Sequence, residues 1–202
     1  MKSPIVMKNN TEILKIALSL FSQYGAKASM DEIARVAAIS KKTLYQQFRS
    51  KAELILSLLE LTEKEWGTYT EKLESSEDNP LLLLIGFYKY RYDQIIRLNS
   101  LFLVQSAKYF PDARDIYDRV SNKTDQVVEL LLKRAQDMQM LHEEVDVETL
   151  VRCHKTLFRA FMSESSRFEE ASYQVFKHMI LLNIIGAVKS NDELTLELLE
   201  CI

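Results

Sequence analysis

The chain has 202 residues, of which 47% are hydrophobic, and it carries a formal net charge of −3 with only four glycines and three prolines. This length and composition suffice for a buried core, and the scarcity of helix breakers favours an all-α fold. The sequence has no apolar run long enough to cross a membrane and no signal peptide, and Cys153 and Cys201 lack the spacing of a disulfide framework or a zinc site, so we expect a cytoplasmic protein.

Charge is divided unevenly along the chain. Residues 1–60 carry nine Lys and Arg against five Asp and Glu, whereas the remaining residues carry seventeen against twenty-four, which gives net charges of +4 and −7. A basic N-terminal segment is typical of contact with a polyanion, and the acidic remainder would be repelled by the same partner.

Residues 1–9 are predicted to form a flexible tail that precedes a first amphipathic helix. From about Thr11, apolar residues recur at three- and four-residue spacing up to Tyr24, and Gly25 follows as a typical helix end. Ser29 and Glu32 then have the spacing of a capping box, which predicts that a second, short helix begins after Ser29.

Two further helix starts follow at short intervals. Ser40 is the N-cap candidate of a third helix, KKTLYQQF, and Ser50 with Glu53 repeats the capping-box pattern before a long fourth helix. The second and third helices have the dimensions of a helix-turn-helix, in which the second helix of the pair enters the major groove of DNA.

The third helix is expected to bury Leu44 and Phe48 and to turn polar side chains outward. Lys and Gln are typical readers of base edges, and Thr and Tyr hydroxyls donate to phosphates. The candidate DNA-binding residues on this helix are Lys41, Lys42, Thr43, Tyr45, Gln46 and Gln47. The alternative is a generic helical subdomain with a solvated basic face.

Residues 10–56 resemble the N-terminal DNA-binding domain of the TetR family of transcriptional regulators. The matching motifs are Phe21-x-x-x-Gly25, Ile33-Ala34-x-x-Ala37, and ISKKTLYQQF with Lys51 three residues beyond it. The resemblance implies that Lys41, Lys42, Thr43, Tyr45 and Gln47 meet DNA and that Ser29 and Lys51 contact phosphates. It also implies an all-helical body over residues 57–202 that binds a small molecule and dimerises through its last long helices, about 146–189.

Two positions depart from the family pattern. Ala38 stands in the turn where the family usually has Gly, and an alanine with positive φ costs on the order of 1 kcal/mol. Lys42 stands where the family usually has a small residue or Pro, so the operator sequence cannot be transferred from relatives.

The body has no catalytic or metal-binding motif. Helices are predicted over residues 51–75, 80–98, 100–109, 112–140, 146–165, 168–189 and 191–200. His142, His154 and His178 have no ligand partner at suitable spacing, and the adjacent Cys153 and His154 point about 100° apart on a helix. We therefore expect no cofactor, no metal and no enzyme activity.

Helical periodicity places several polar side chains on apolar faces of the body. His154 aligns with Leu150, Leu157 and Phe161 on one such face. An apolar cavity with a few convergent polar groups is typical of a small-molecule site. The candidate ligand-binding residues are Phe87, Tyr88, Arg91, Tyr117, Ser121, Thr124, His154 and Phe161.

Arg91 determines the expected chemistry of the ligand, because a lone buried cation is strongly disfavoured. Its partner is either an acidic side chain such as Glu164 or an anionic, largely apolar effector such as a fatty, bile or aromatic acid. The alternatives are an Arg91 that reaches solvent and a His154 that is simply hydrogen-bonded in the core.

Residues 172–189 are apolar over most of the helix circumference, which indicates burial on more than one side. We expect a partner subunit on the second side, with Ile184 in the interface; the alternative is a central helix of a monomer. Together these features predict a homodimeric, ligand-responsive transcriptional regulator that binds a palindromic operator, with repression favoured by the resemblance. The competing hypotheses are a helical scaffold that does not bind DNA and a small helical enzyme that uses Arg91 and His154.

Overall fold

The structure, a computed structural model, describes residues 9–165 and 172–189, without the side chains of 162–165, 172, 183 and 185. Within these ranges the chain forms α-helices, two single 3-10 turns and one isolated β-bridge, which confirms the all-α prediction. The helices are α1 (Asn10–Tyr24), α2 (Met30–Val36), α3 (Lys41–Gln47), α4 (Lys51–Ser75), α5 (Pro80–Leu98), α6 (Ser100–Tyr109), α7 (Pro111–Asp137), α8 (Val147–Ser165) and α9 (Ser172–Ile184).

The N-terminal helices begin at the capping residues that the sequence indicates. Ser29 and Glu32 form a complete capping box at α2, and the Ser40 hydroxyl accepts from the backbone N–H of Thr43 at α3. Asn9 and Glu12 form a further capping box at α1, so this helix begins one residue earlier than predicted. Because each cap satisfies backbone N–H groups that the helix itself leaves unpaired, these starts are fixed locally.

The turn between α2 and α3 places Ala38 in the left-handed region, with φ of 52°. The Ala38 N–H donates to the Arg35 carbonyl at 3.1 Å, and the Ile39 N–H donates to the Ala34 carbonyl at 3.0 Å. This pair of bonds is a Schellman motif, whose left-handed position is normally a glycine. Ala38 therefore pays the expected conformational strain of about 1 kcal/mol.

The predicted ends of two body helices are wrong. α7 ends at Asp137 instead of residue 140, because Gln139 has φ of 57° and the Met140 N–H turns back to the Ala135 carbonyl. α9 ends at Ile184 and passes into the 3-10 turn Ile185–Ala187 instead of continuing to residue 189; Val188 then pairs with Leu141 in the β-bridge. The predicted tail up to residue 8, the segment 168–171 and the helix 191–200 lie outside the described residues.

The described residues divide into two compact units. The first unit contains residues 9–66 and 97–118, so it is larger than the predicted head of residues 10–56 and includes α6. Its core is apolar, and the rings of Phe21 and Phe102 stack with centroids 4.9 Å apart. The fully buried side chains of this core include Ile13, Phe21, Ile33, Leu44, Leu54, Ile55 and Phe102.

The second unit contains residues 67–96, 119–165 and 172–189. Aliphatic residues of α5 and α7 and aromatic residues of α5, α8 and α9 make up its core, and Phe87 and Phe176 are completely buried. No described helix is both long enough and apolar enough to cross a membrane.

Candidate nucleic-acid interface and a buried polar cluster

α3 presents one polar face to solvent. Leu44 on this helix and Phe48 at its end are buried, as predicted. On the opposite side Lys41, Lys42, Tyr45 and Gln46 are exposed, whereas Thr43 and Gln47 are half-buried. The helix therefore offers two cations, an amide and a phenol hydroxyl to a surface that approaches it, which are the groups that contact base edges and phosphates.

Two of these side chains have partners within the first unit. The Thr43 hydroxyl lies 2.8 Å from the Ser40 hydroxyl, at the start of α3. The Lys41 ammonium pairs with the Asp31 carboxylate on α2, with both side chains more than half exposed. An exposed ion pair contributes at most about 1 kcal/mol, so it does not prevent Lys41 from turning to another anion.

Ser29 and Lys51, which lie on different helices, share a neighbour in Glu32. The Ser29 hydroxyl donates to the Glu32 carboxylate at 2.8 Å. Hydrogen bonds from Ser29 lower the pKa of Glu32, and the positive charge of Lys51 contributes to the same shift. Partial burial lowers the pKa of Lys51, while Glu32 opposes that shift. The start of α2 and the start of α4 are thus coupled electrostatically through Glu32 and Lys51.

α6 contacts the head through residues that the sequence did not single out. The Gln105 side chain accepts from the Ala26 N–H at 2.8 Å, and the Asn99 side chain donates to the Ser22 carbonyl at 2.8 Å. These partners are more than 70 residues apart in the chain, and neither pair has a local sequence pattern that could have indicated it.

The second unit encloses a polar pair among aromatic rings. Tyr88 on α5 and His154 on α8 are buried, and the Tyr88 hydroxyl lies 2.9 Å from His154 Nδ1. Burial, together with the positive charge of Arg91, lowers the pKa of His154 to about 4. Burial also raises the pKa of Tyr88, and Asp125 adds to this shift. Both groups are therefore neutral near pH 7.

Arg91 lies beside this pair. It is half-buried, and its guanidinium carbon is 5.0 Å from the centre of the Phe158 ring, which is the distance of a cation–π contact. His154 Nε2 is buried and has no hydrogen-bond partner among the described residues. The side chain of Glu164, the acidic partner suggested from the sequence, lies outside the described residues.

The remaining predicted ligand residues differ in placement. Phe87, Thr124 and Phe161 are buried, whereas Tyr117 and Ser121 are half-buried. The Thr124 hydroxyl donates to the Val120 carbonyl of its own helix, and Tyr117 belongs to the first unit. The structure therefore brings together Phe87, Tyr88, Arg91, His154 and Phe161 but leaves Tyr117 outside this unit.

One predicted inward residue is wrong. Leu157 is 40% exposed, and Phe158 occupies the inward position, 5.7 Å from the His154 ring. Leu157 and Phe158 are three and four residues after His154, and both spacings place a residue near the same helix face. The periodicity therefore could not show which of the two points inward. The aromatic residues missed in this cluster are Tyr92, Phe158, Tyr173 and Phe176.

Comparison with known proteins agrees with the N-terminal geometry. Residues 13–58 match the family described as bacterial regulatory proteins, tetR family. The HTH-type transcriptional regulator AcrR of Shigella flexneri is 39% identical over 56 residues, a match that spans 27% of this chain and 26% of that protein.

Solved structures share the fold over most of the chain. The ketosteroid transcriptional regulator KstR2 of Mycobacterium tuberculosis has a TM-score of 0.68 at 20% identity, covering 91% of this chain and 96% of that one. A complex of SmeT with triclosan has a TM-score of 0.65 at 14% identity, covering 90% and 92%; SmeT is the repressor of a Stenotrophomonas maltophilia multidrug efflux pump.

The capped short helices, the left-handed turn and the polar face of α3 define a helix-turn-helix DNA-binding domain. The N-terminal region of the chain is similar to that of TetR-family bacterial regulatory proteins, and the match spans about a quarter of the length of the curated relative. This N-terminal match supports the DNA-binding hypothesis over the scaffold and enzyme hypotheses.

Proposed function

We propose that the protein is a homodimeric TetR-family repressor that binds a palindromic operator and releases it when a small molecule binds the second unit. The observation that carries this proposal is the exposed polar face of α3, in a helix-turn-helix that matches the family. Repression is supported by SmeT, which shares the fold. In a dimer, the two recognition helices would lie roughly 34–36 Å apart, one turn of B-DNA.

The proposed DNA contacts fall into two classes. Lys42, Tyr45 and Gln46, which are exposed on α3, and Gln47, which is half-buried there, would meet base edges or nearby phosphates. Ser29, Lys41, Thr43 and Lys51 would contact phosphates and fix the register of the domain. Removing a phosphate contact should weaken binding to all sequences, whereas removing a base contact should relax preference at one base pair in each half-site.

Dimerisation is proposed through the outward faces of α8 and α9. On α9 Leu182 is 79% exposed and Val175 is 54% exposed, and Leu157 of α8 lines one shallow depression with both. Large apolar side chains clustered at the surface are typical of an interface. Ile184, expected in the interface, is instead buried within its own subunit, so it cannot report on dimerisation.

The proposed effector is an apolar anion that meets Arg91 and His154. A buried phenol hydroxyl donates readily to a neutral imidazole, which leaves the proton of His154 on Nε2. His154 then presents an N–H donor beside the positively charged Arg91 guanidinium, and a carboxylate would interact favourably with both groups. The rings of Phe87, Phe158 and Phe161 supply apolar walls. SmeT, which shares this fold, has been solved in a complex with triclosan, and this supports a ligand-responsive second unit.

Entry of such an effector requires movement. One cavity between α5 and α9 is lined by Tyr92 and Phe176 among others, but by neither Arg91 nor His154, and its volume is about 70 Å³. Small-molecule pockets usually measure roughly 300–1,000 Å³. We therefore expect the effector to part α5, which carries Arg91, from α8, which carries His154, and this displacement is the proposed signal.

Operator selection tests the regulator proposal. The protein is incubated with duplexes of randomised sequence, and the retained duplexes are sequenced. We expect an inverted repeat whose half-site centres are about ten base pairs, or one helical turn, apart. Retention without any sequence preference, or no retention at low salt, would contradict the proposal.

Decanoate and benzoate, compared with the neutral decanol and benzyl alcohol, test the effector class. The acids should raise the melting temperature and release operator DNA, and the alcohols should not. Arg91→Met keeps most of the side-chain volume but removes the charge, so the variant should bind operator and no longer respond to the acids. An equal response to acids and alcohols, or a normal response of Arg91→Met, would exclude the anionic effector.

A further inference from the structure

The 3-10 turn Gly25–Lys27, between α1 and α2, is held at one residue from two directions. Gln105 Oε1 on α6 accepts from the Ala26 N–H at 2.8 Å. The Lys51 ammonium at the start of α4 donates to the Ala26 carbonyl. Ala26 therefore connects a side chain of α6 to the lysine that we propose as a phosphate contact.

The backbone at Gly25 packs closely against the Gln105 side chain. Gly25 has φ of 62°, and a Cβ atom added there would lie 2.6 Å from Gln105 Oε1. Glycine is thus needed both for the backbone conformation and for the approach of Gln105. The stacked rings of Phe21 and Phe102 and the bond from Asn99 to the Ser22 carbonyl fix α6 along α1. Gln105 is consequently held at one defined position relative to Ala26.

The Ala26 carbonyl restricts a long and otherwise mobile side chain. A lysine ammonium has three N–H donors, so one bond to Ala26 leaves two donors for a phosphate oxygen. Without this anchor, Lys51 would have to give up its rotamer freedom when DNA binds. If Ala26 moved, its carbonyl would draw the Lys51 ammonium away from the start of α2 near Ser29.

We propose that Gln105 is a positioning residue for DNA binding, which acts through Ala26 to hold the Lys51 ammonium where it meets a backbone phosphate. This inference rests on the proposed DNA-binding function. It also gives α6 a direct effect on DNA affinity, because any displacement of Gln105 relative to the turn is transmitted to Lys51.

The test measures binding of the full-length protein to a fluorescent duplex of random sequence across a range of KCl concentrations. Lys51→Met should remove one phosphate contact per protomer, so the slope of log Kobs against log salt falls by about two in a dimer. Gln105→Met, which has similar volume but no acceptor for the Ala26 N–H, should lower the slope in the same direction. The double variant should bind like Lys51→Met alone, because both changes disable the same contact.

Val128→Ala is the control, since Val128 is buried in the core of the second unit and the change leaves Gln105, Ala26 and Lys51 unaltered. It should lower the melting temperature and leave the salt slope unchanged. Gly25→Ala provides a second route, because its Cβ displaces the Gln105 oxygen, and it should reduce the slope as Gln105→Met does. A wild-type slope in both Gln105→Met and Gly25→Ala, or additive losses in the double variant, would overturn the positioning role. Failure of wild-type protein to bind DNA would instead overturn the proposed function.

Discussion

The first unit displays its polar side chains, whereas the second unit encloses them. On α3 the lysines and Tyr45 point into solvent, where charges act over a Debye length of about 10 Å and are weakened by salt. In the second unit Tyr88 and His154 are buried among aromatic rings, where an unpaired donor is costly and a matched acceptor is strongly favoured. The first arrangement suits a large charged polymer, and the second suits one small group that enters the core.

The largest effect is expected from disrupting the exposed apolar surface through which we propose that the protein dimerises. Leu182→Glu places a charge on a side chain that is 79% exposed in the single subunit. If the α8 and α9 faces form the interface, the variant should be monomeric at micromolar concentration and bind operator about 100-fold more weakly, because the two heads lose their linkage. Ultracentrifugation and operator titration measure these changes.

Ile96→Glu is the matched control for that change. Ile96 is also an exposed apolar residue, 49% accessible, but it lies on α5 and not on α8 or α9. It should leave the mass and the operator affinity unchanged. If the Leu182→Glu variant still formed dimers, the dimer interface would have to lie on another surface.

The pH dependence of stability tests whether His154 is enclosed. Its pKa in the folded protein, about 4, lies below the ordinary value of 6.5, so the unfolded chain takes up the proton first as the pH falls. Above about pH 6.5 His154 is neutral in both the folded and the unfolded state and does not reduce stability. The free energy of unfolding then falls by roughly 3 kcal/mol by pH 4. Denaturant unfolding across this range should show that loss in wild type.

His154→Gln should remove most of this pH dependence, because an amide does not titrate. His142→Gln, at an exposed histidine, should preserve it. An unchanged pH profile in His154→Gln would show that the histidine is not enclosed as the structure indicates.

Removing a base-contacting side chain should affect DNA binding differently from removing a phosphate-contacting one. Gln47→Ala should cost about 1–3 kcal/mol at its preferred base pair and relax preference at that pair in each half-site. Affinity for random duplex should change little, because nonspecific binding depends on phosphate contacts. Equal weakening on all sequences would assign Gln47 to the DNA backbone instead.

The smallest effect concerns the left-handed turn. Ala38→Gly should raise the free energy of unfolding by about 1 kcal/mol, because glycine adopts φ of 52° without strain. Thermal unfolding measures it, and Ala37→Gly, at a neighbouring residue with φ of −70°, should destabilise. A loss of stability in Ala38→Gly would mean that the alanine methyl group contributes more by packing than it costs by strain.

The two regions also differ in how far sequence determined them. The starts of α2 and α3 follow from Ser29 and Ser40, whose hydrogen bonds reach three residues along the chain. In the second unit the pair Tyr88 and His154 joins residues 66 positions apart. The first unit also has a contact of this kind, since Gln105 and Ala26 are 79 positions apart. Periodicity indicated that His154 faces inward, but it could not identify its partner or choose Phe158 over Leu157. Helix caps can be predicted from residues close together in the sequence, whereas the packing of helices that are far apart in the sequence cannot.

The salt dependence of DNA binding tests the central claim most directly. The protein is acidic overall, with a net charge of −3, so binding to DNA requires the local surface of α3 and its flanking helix starts. Lys41, Lys42 and Lys51 in both protomers of a dimer predict a slope of log Kobs against log salt of about −5. Replacing Lys41 and Lys42 with Ala should reduce its magnitude by about three to four, for four charges in the dimer. A wild-type slope near zero, or the same slope in the double variant, would contradict DNA binding through this surface.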